Sequence, residues 1–310
     1  MRVLFYGTPE FALAPLEGLL QRHTVVAVVT QPDRPVGRGQ RLAASPVKRR
    51  AETAGLPVLQ PARLRDEEWP GRLAAFEPEV AVVVAFGQIL SKAVLEVPAR
   101  GSINVHASLL PRYRGAAPIA WAIIKGERET GITTFRMDPG MDTGDILLAE
   151  ATPIGPEETA RELAQRLSRL GAEVLLRTLD QLDSIEPRAQ AHAAATLAPR
   201  LKKQDGWLRL AEPARDLVNR VRGCNPWPGA VVMTPAGRLL LWRATEVPHS
   251  VPALPGLLVS AGPGATCIAT GEGLLLPIEV QPENRKVMGW EDFLRGARLG
   301  PGARVTEVSA

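Results

Sequence analysis

The run Val80–Phe86 reads Val-Ala-Val-Val-Val-Ala-Phe, with no polar side chain between Glu79 and Gly87. A strand with one wet face alternates apolar and polar residues. A short run without alternation has to be covered on both sides, as in a parallel sheet with helices packed on its two faces. The flanking sequence supplies such a frame. Arg2–Tyr6 reads as a short apolar strand, and Gly7-Thr8-Pro9 as the opening of a helix, with Thr8 as N-cap and Pro9 at the first helical position. Val25–Thr30 is a second, valine-rich strand, Pro46–Ala54 a helix, Val58–Leu59 extended and Ser102–His106 a further strand. Pro118–Lys125 follows as a helix, Gly131–Met137 and Asp145–Ala151 as strands, and Pro156–Leu182 as a long amphipathic helix. That order predicts an α/β domain with a doubly wound, mostly parallel sheet.

The pattern changes beyond it. Residues 183–206 mix Pro, Ala, His, Lys and Gln without periodicity and read as a connection. Then come short strands at Trp207–Leu210, Val231–Met233, Leu239–Ala244, Leu257–Ser260, Thr266–Ala269 and Leu274–Glu279, with one helix at Pro213–Arg222. Short strands between Gly and Pro turns predict a small OB-like β-barrel, a shape that commonly binds nucleic acid. The 310 residues are long for one core. We expect domains at 1–185 and 207–310, joined by a linker at 186–206.

Composition narrows the class. Hydrophobic residues make up 45% and charged residues 23% of the chain, ordinary for a globular protein. No leader and no apolar span is read, so a cytoplasmic location is expected, with no membrane and no obligate protein partner. Cys224 and Cys267 form no Cys-x-x-Cys pair and read as buried free thiols. The histidines at 23, 106, 192 and 249 lack metal-ligand spacing, so no metal is expected. Gly7 stands without a Gly-x-Gly-x-x-Gly, which argues against a nicotinamide cofactor. The net charge is +4, and residues 200–310 carry all of the excess, with 14 basic and 10 acidic side chains.

Asn104 and His106 lie two apart at the end of a strand, so their side chains share one face about 7 Å apart. An amide and an imidazole there can both donate to one oxygen, which is what a tetrahedral oxyanion requires. Next comes Ala107-Ser108-Leu109-Leu110-Pro111-Arg112-Tyr113-Arg114-Gly115, and further on Met137-Asp138-Pro139-Gly140-Met141-Asp142-Thr143-Gly144-Asp145. With these two motifs in this order the chain resembles the folate-dependent formyltransferases.

The resemblance implies a Rossmann-like catalytic domain in which Asn104, His106 and Asp142 form the catalytic centre. Asp142 would orient His106 or help to remove the amine proton; the residues alone leave both roles open. Asp138-Pro139-Gly140 reads as the turn that presents Asp142. By the same resemblance Ser108, Leu109, Leu110 and Pro111 line a folate pocket, and Phe86, Gly87, Gln88 and Ile89 form the loop against which a pterin packs. Position 86 is more often Tyr in that family, and the alternative reading of Phe86 is a core residue. The implied formyl donor is 10-formyltetrahydrofolate.

Three features point to tRNA as acceptor. Residues 32–50 hold six basic side chains against one acidic, and they resemble the loop that enters the acceptor arm in the methionyl-tRNA formyltransferases. Arg34, Arg38, Arg41 and Lys48 are its candidate contacts. The segment Pro199–Lys203, with Arg200, Lys202 and Lys203, and the motif Asn225-Pro226-Trp227-Pro228-Gly229 resemble that family's tRNA-binding module. No dehydrogenase or decarboxylase domain is expected beyond residue 310. The expected reaction is formylation of the methionine amine on initiator methionyl-tRNA. The alternatives are a formyltransferase for a nucleotide-linked amino sugar, a formyltetrahydrofolate hydrolase, or a catalytically silent RNA-binding protein on this fold.

Overall fold

The structure, a computed structural model, describes residues 1–36, 41–248, 253–262 and 264–308. Packing divides the chain into two units: Met1–Pro118, Glu129–Pro153 and Ala164–Pro199 form one, and Ile119–Arg128, Ile154–Leu163 and Arg200–Ala310 the other.

In the first unit β1 (Arg2–Gly7) leads through a 3-10 turn (Glu10–Ala12) into α1 (Leu13–Arg22). After β2 (Thr24–Val29) comes a hairpin of β3 (Arg34–Val36) and β4 (Arg41–Ala43), then α2 (Pro46–Thr53), β5 (Val58–Leu59) and α3 (Glu68–Ala74). The chain continues through β6 (Val80–Val84), α4 (Lys92–Leu95), β7 (Ser102–His106), α5 (Pro118–Ile124), β8 (Glu129–Arg136), β9 (Ile146–Pro153) and α6 (Ala160–Asp180), of which α5 from Ile119 onward and the first turn of α6, as far as Leu163, are assigned to the second unit. The seven strands form one sheet in the order β5-β2-β1-β6-β7-β8-β9. Pairing is parallel as far as β7, and β8 and β9 run antiparallel. All five residues of β6 are buried, as their uninterrupted valines require. One core layer joins Leu4, Tyr6, Ala27, Val29, Ala81 and Val83 of the sheet to Trp69, Leu73, Val94 and Leu95 of α3 and α4.

Several elements differ from the sequence expectation. Thr8 is not an N-cap. Its hydroxyl donates to the Phe86 carbonyl at 3.0 Å and accepts from the Gln31 N–H at 3.3 Å, tying together the chain as it leaves three adjacent strands. The helix therefore starts only at Leu13. The basic loop contains the β3–β4 hairpin, which its Arg and Gly content hid. Helix α3 was masked by Pro70 and Gly71; Pro70 lies in the first turn, where a missing N–H costs nothing. The long helix starts at Ala160, after a reciprocal cap: Glu162 N–H donates to Thr159 Oγ1 at 3.3 Å, and the Glu162 carboxylate accepts from Thr159 N–H at 2.9 Å. Those bonds hold the Glu162 carboxyl below its ordinary range.

The second unit contains α7 (Ala214–Gly223), β10 (Ala230–Thr234), β11 (Gly237–Val247), β12 (Leu258–Ser260), β13 (Thr266–Ala269), β14 (Leu274–Pro282), β15 (Met288–Gly289) and α8 (Trp290–Ala297). Its antiparallel sheet runs β10-β11-β14-β13-β12, with β15 beside β14. Single bridges from Thr306 to Met233 and from Arg304 to Leu257 span the two open edges, which makes a barrel-like curl. The expected strand Trp207–Leu210 reduces to one bridge, Trp207 to Val231. Helix α8 is an element that the sequence reading does not contain. Trp290, Phe293 and Leu294 on one side of it fill the barrel core with Leu217, Val232, Leu241 and Val280.

Among the described residues no helix is long and apolar enough to cross a membrane. Cys224 and Cys267 are both free and buried, and burial pushes the Cys224 thiol up to about 12.

Replacing Thr159, 3% exposed, by Ala should remove the α6 cap and cost about 1 kcal/mol. A lower urea midpoint with secondary structure retained is the expected result.

Candidate active site

β7 is paired on both sides, so its register is fixed. Asn104 lies opposite Val83 on β6 and Phe135 on β8, and His106 lies opposite Thr133. His106 is 6% exposed. Its Nε2 stands 2.9 Å from the Tyr113 carbonyl. A carbonyl only accepts, so Nε2 carries a hydrogen. Nδ1 then faces Asp142 Oδ2 at 3.7 Å. Asn104 is half-buried, and among the described residues its amide makes no hydrogen bond within the protein.

Asp142 reaches His106 by an indirect route. β8 runs antiparallel to β7 and ends at Arg136, opposite Ile103. The connection 137–145 must therefore double back along β7 to bring Asp142 to His106. Asp138 builds the reversal: its Oδ1 accepts from Gly140 N–H at 3.0 Å and from the Thr143 hydroxyl at 2.7 Å. A Cβ on Gly144 would lie 1.8 Å from the Arg136 carbonyl, which rules out a side chain there, and one on Gly140 would lie 1.9 Å from Thr143 Oγ1 and would displace that hydroxyl from Asp138. Asp142 has φ +53°, in the left-handed region. Its Oδ2 accepts from Gly115 N–H at 2.7 Å. Gly115 acts through its backbone, so the sequence marks it only by its place in the Arg112–Gly115 loop.

The remaining expected site residues fall into three groups. Ser108 and Leu110 are fixed by Thr133, whose hydroxyl donates to the Ser108 carbonyl at 2.7 Å and accepts from Leu110 N–H at 3.1 Å. Leu109 and Pro111 are half-buried beside them. The Ser108 hydroxyl is turned inward onto the Arg112 carbonyl at 2.6 Å. In the second group the Phe86 side chain is core, meeting Tyr6 edge-on at 5.4 Å. Gln88 holds the backbone of the neighbouring loop, accepting from Leu64 N–H and donating to the Pro61 carbonyl. Gly87 and Ile89 are exposed, Ile89 at 83%.

The third group is basic. Arg34 is exposed and donates to Gln31 Oε1 at 3.2 Å. Lys48 is paired with Asp33 at 2.7 Å, and hydrogen bonds from Lys48 and Gln60 hold the Asp33 carboxyl below its ordinary range. Arg38 lies outside the described residues, and Arg41 is seen only as the first residue of β4. Arg200, Lys202 and Lys203 are exposed in the second unit. Among the described residues no group of three His, Cys, Asp or Glu side chains is placed to hold a metal ion.

Fold and motifs together define a formyl transferase. The Formyl transferase family matches residues 1–179, and its C-terminal domain family matches residues 200–298. The methionyl-tRNA formyltransferase of Citrifermentans bemidjiense is 48% identical over 313 aligned positions, covering 100% of this chain and 98% of the relative. That of Thermus thermophilus is 45% identical, covering 99% and 100%. The chain belongs to the methionyl-tRNA formyltransferase family. Its fold is shared with WlaRD, a sugar 3N-formyl transferase solved with dTDP and 5-N-formyl-THF (TM-score 0.67, 17% identity, 92% of this chain and 99% of that one). It is shared also with HypX from Aquifex aeolicus solved with tetrahydrofolic acid (TM-score 0.62, 17% identity, 95% of this chain and 47% of that one).

Gly115 has φ +119°, and a Cβ there would lie 2.8 Å from the Ala198 carbonyl. Gly115→Ala should cost about 1–3 kcal/mol of stability through backbone strain. It should also slow formyl transfer by up to about 100-fold, because the N–H that fixes Asp142 moves. Thermal melts read the first effect and single-turnover rates the second.

Proposed function

We propose that the protein transfers the formyl group of 10-formyltetrahydrofolate to the α-amino group of methionine on initiator tRNA, and that it works in the cytoplasm. The observation that carries the reading is the triad itself: a buried His106 between the Tyr113 carbonyl and Asp142, next to an Asn104 amide with no protein partner among the described residues. The residues suit a bound formyl donor. Asn104 offers N–H groups that make no hydrogen bond among the described residues, and Ser108–Pro111 and the exposed Gly87 and Ile89 frame the same end of the sheet. The donor supplies a carbonyl carbon open to attack by an amine.

Attack by the amine nitrogen places negative charge on the formyl oxygen. Asn104 Nδ2–H donates to that oxygen, and with a proton on Nδ1 as well His106 donates a second bond, its Nε2–H remaining on Tyr113. Asp142 orients the ring and takes up the proton that the amine loses; the bond from the formyl carbon to the folate nitrogen N10 then breaks, and N10 leaves with a proton, so that tetrahydrofolate and the N-formyl amide result. Because the amine attacks directly, no side chain of the enzyme is acylated. The Arg34–Lys48 region would receive the acceptor arm. Lys48, already paired with Asp33, shapes that loop, and the burden of phosphate binding falls on its arginines. Arg200, Lys202 and Lys203 would hold the tRNA body. An amino-sugar acceptor rests on likeness of fold alone.

The assay is formyl transfer to initiator and to elongator methionyl-tRNA with 10-formyltetrahydrofolate. We expect strong preference for the initiator; formylation of a nucleotide-linked amino sugar in its place would refute the reading. Asn104→Ala and His106→Ala should each slow single-turnover transfer by about 100-fold or more, the usual scale for an oxyanion donor, with tetrahydrofolate binding little changed. Wild-type rates in either variant would remove that residue from the chemistry.

The two basic regions should separate in a salt series. Arg38→Ala should reduce both discrimination and rate on methionyl-tRNA while leaving folate binding intact. Neutralising Arg200, Lys202 and Lys203 should weaken binding of both tRNAs alike. It should also flatten the log–log salt slope by roughly 0.7–0.9 for each phosphate that the variant no longer neutralises. An unchanged slope would assign phosphate binding to other basic residues.

A further inference from the structure

Residues 186–199 lie between the stretches matched by the two family domains, and they are packed along the first unit. Gln190 is 5% exposed. Its amide nitrogen donates to two carbonyls, Asp142 O at 2.9 Å and Gly144 O at 2.7 Å. Its amide oxygen accepts from Arg114 twice, from Nε at 3.1 Å and Nη2 at 2.6 Å. Arg114 is itself buried, at 7% exposure, and its Nη2 also meets His192 Nδ1 at 3.0 Å.

Arg114 sits between the two residues that hold the catalytic pair. The carbonyl before it, of Tyr113, accepts from His106; the N–H after it, of Gly115, donates to Asp142. The backbone of this loop is clamped onto the same segment. Arg114 N–H donates to the Thr196 carbonyl at 2.8 Å, Ala198 N–H to the Arg114 carbonyl at 2.7 Å, and Tyr113 N–H to Thr196 Oγ1 at 2.9 Å.

We propose that Gln190, braced by Arg114, is a positioning residue for the transfer reaction: it pins the loop that carries Asp142 against His106, and it makes residues 190–198 part of the active-site scaffold. The inference rests on the reading of Asn104, His106 and Asp142 given above. Asp142 needs such a hold for two reasons. Its loop doubles back along β7 beyond the end of β8, and its backbone occupies the left-handed region, which is uncommon for a residue with a side chain although Asp tolerates it better than most. Gln190 provides the restraint from the backbone side and Gly115 from the carboxylate side.

The chemistry of the site selects glutamine. Two carbonyls require two N–H donors, and a guanidinium, which only donates, requires an acceptor. One carboxamide satisfies all of them with nothing left unpaired. Glutamate has nearly the same shape but would set an oxygen against two carbonyl oxygens while gaining a charge partner in Arg114. Gln190→Glu therefore keeps the brace to Arg114 and removes the grip on the Asp142 loop.

The test is a double-mutant cycle with single-turnover rates and separate binding constants for tetrahydrofolate and methionyl-tRNA. Gln190→Glu should slow transfer about 10–100-fold, the scale of a small misplacement of a reacting group, with both binding constants within about threefold of wild type. In an Asp142→Asn background the same change should cost under about threefold, because the residue it positions is already lost. If Gln190→Glu does not fold, Gln190→Met, which keeps the length and lacks the donors, is judged by the same criteria. An equal loss in both backgrounds, or a wild-type rate in the folded single variant beside a slow Asp142→Asn, would overturn the positioning role and leave the site reading standing. A wild-type rate in Asp142→Asn alone would overturn both.

Discussion

The hydrogen bonding of β7 on both edges is the constraint from which the site follows. Parallel pairing with β6 and antiparallel pairing with β8 leave the strand one register. A slip of one residue would turn Asn104 and His106 to the opposite face together. The sheet also changes from parallel to antiparallel at this strand, and that change decides how the third residue arrives. A parallel neighbour would deliver its following loop at the carboxyl end of β7. The antiparallel β8 delivers it at the other end, so the 137–145 connection has to return over the sheet. The Asp138 turn, the two closely packed glycines and the left-handed Asp142 are the local means of that return.

Such a loop has little support of its own. Its hold comes from chain segments remote in sequence: Gly115 on the Asp142 carboxylate and Gln190 on its backbone. A similar economy ties the carboxyl ends of β1, β2 and β6 together. There the Phe86 carbonyl accepts from both Thr8 and Gln31, and Gln31 in turn accepts from Arg34 at the base of the basic hairpin. Thr8, Gln31 and Arg34 thus connect the loop expected to face the pterin with the loop expected to face the acceptor. The Tyr6 hydroxyl, buried beside Phe86, finds no partner among the described residues.

The second unit solves a different problem. Its strands are short, and a five-stranded antiparallel path leaves two edges with unpaired backbone groups. The chain's own terminal residues cover them, with Thr306 on Met233 and Arg304 on Leu257. Helix α8 then supplies Trp290, Phe293 and Leu294 to a core that short strands alone would fill poorly.

The sequence by itself determined the elements whose signal is local. The unbroken valines of β6 and the β-branched run of β2 specify buried strands, and Ser45-Pro46 specifies the start of α2 with its hydroxyl on Lys48 N–H. Asn-x-His on one strand face and the Asp138 turn are likewise set by residues two to five apart; it is the resemblance of those motifs to the formyltransferases that marks Asn104, His106 and Asp142 as catalytic candidates. What only the tertiary structure decided depends on partners far along the chain. Thr8 leaves its helix for a carbonyl 78 residues away. Gln190, in a segment with no periodicity, becomes a support of Asp142 48 residues earlier. A single sequence carries the propensity of each residue but not the identity of the distant group that will satisfy its polar atoms or cover its apolar ones, and in each of these places that distant group outweighed the local preference.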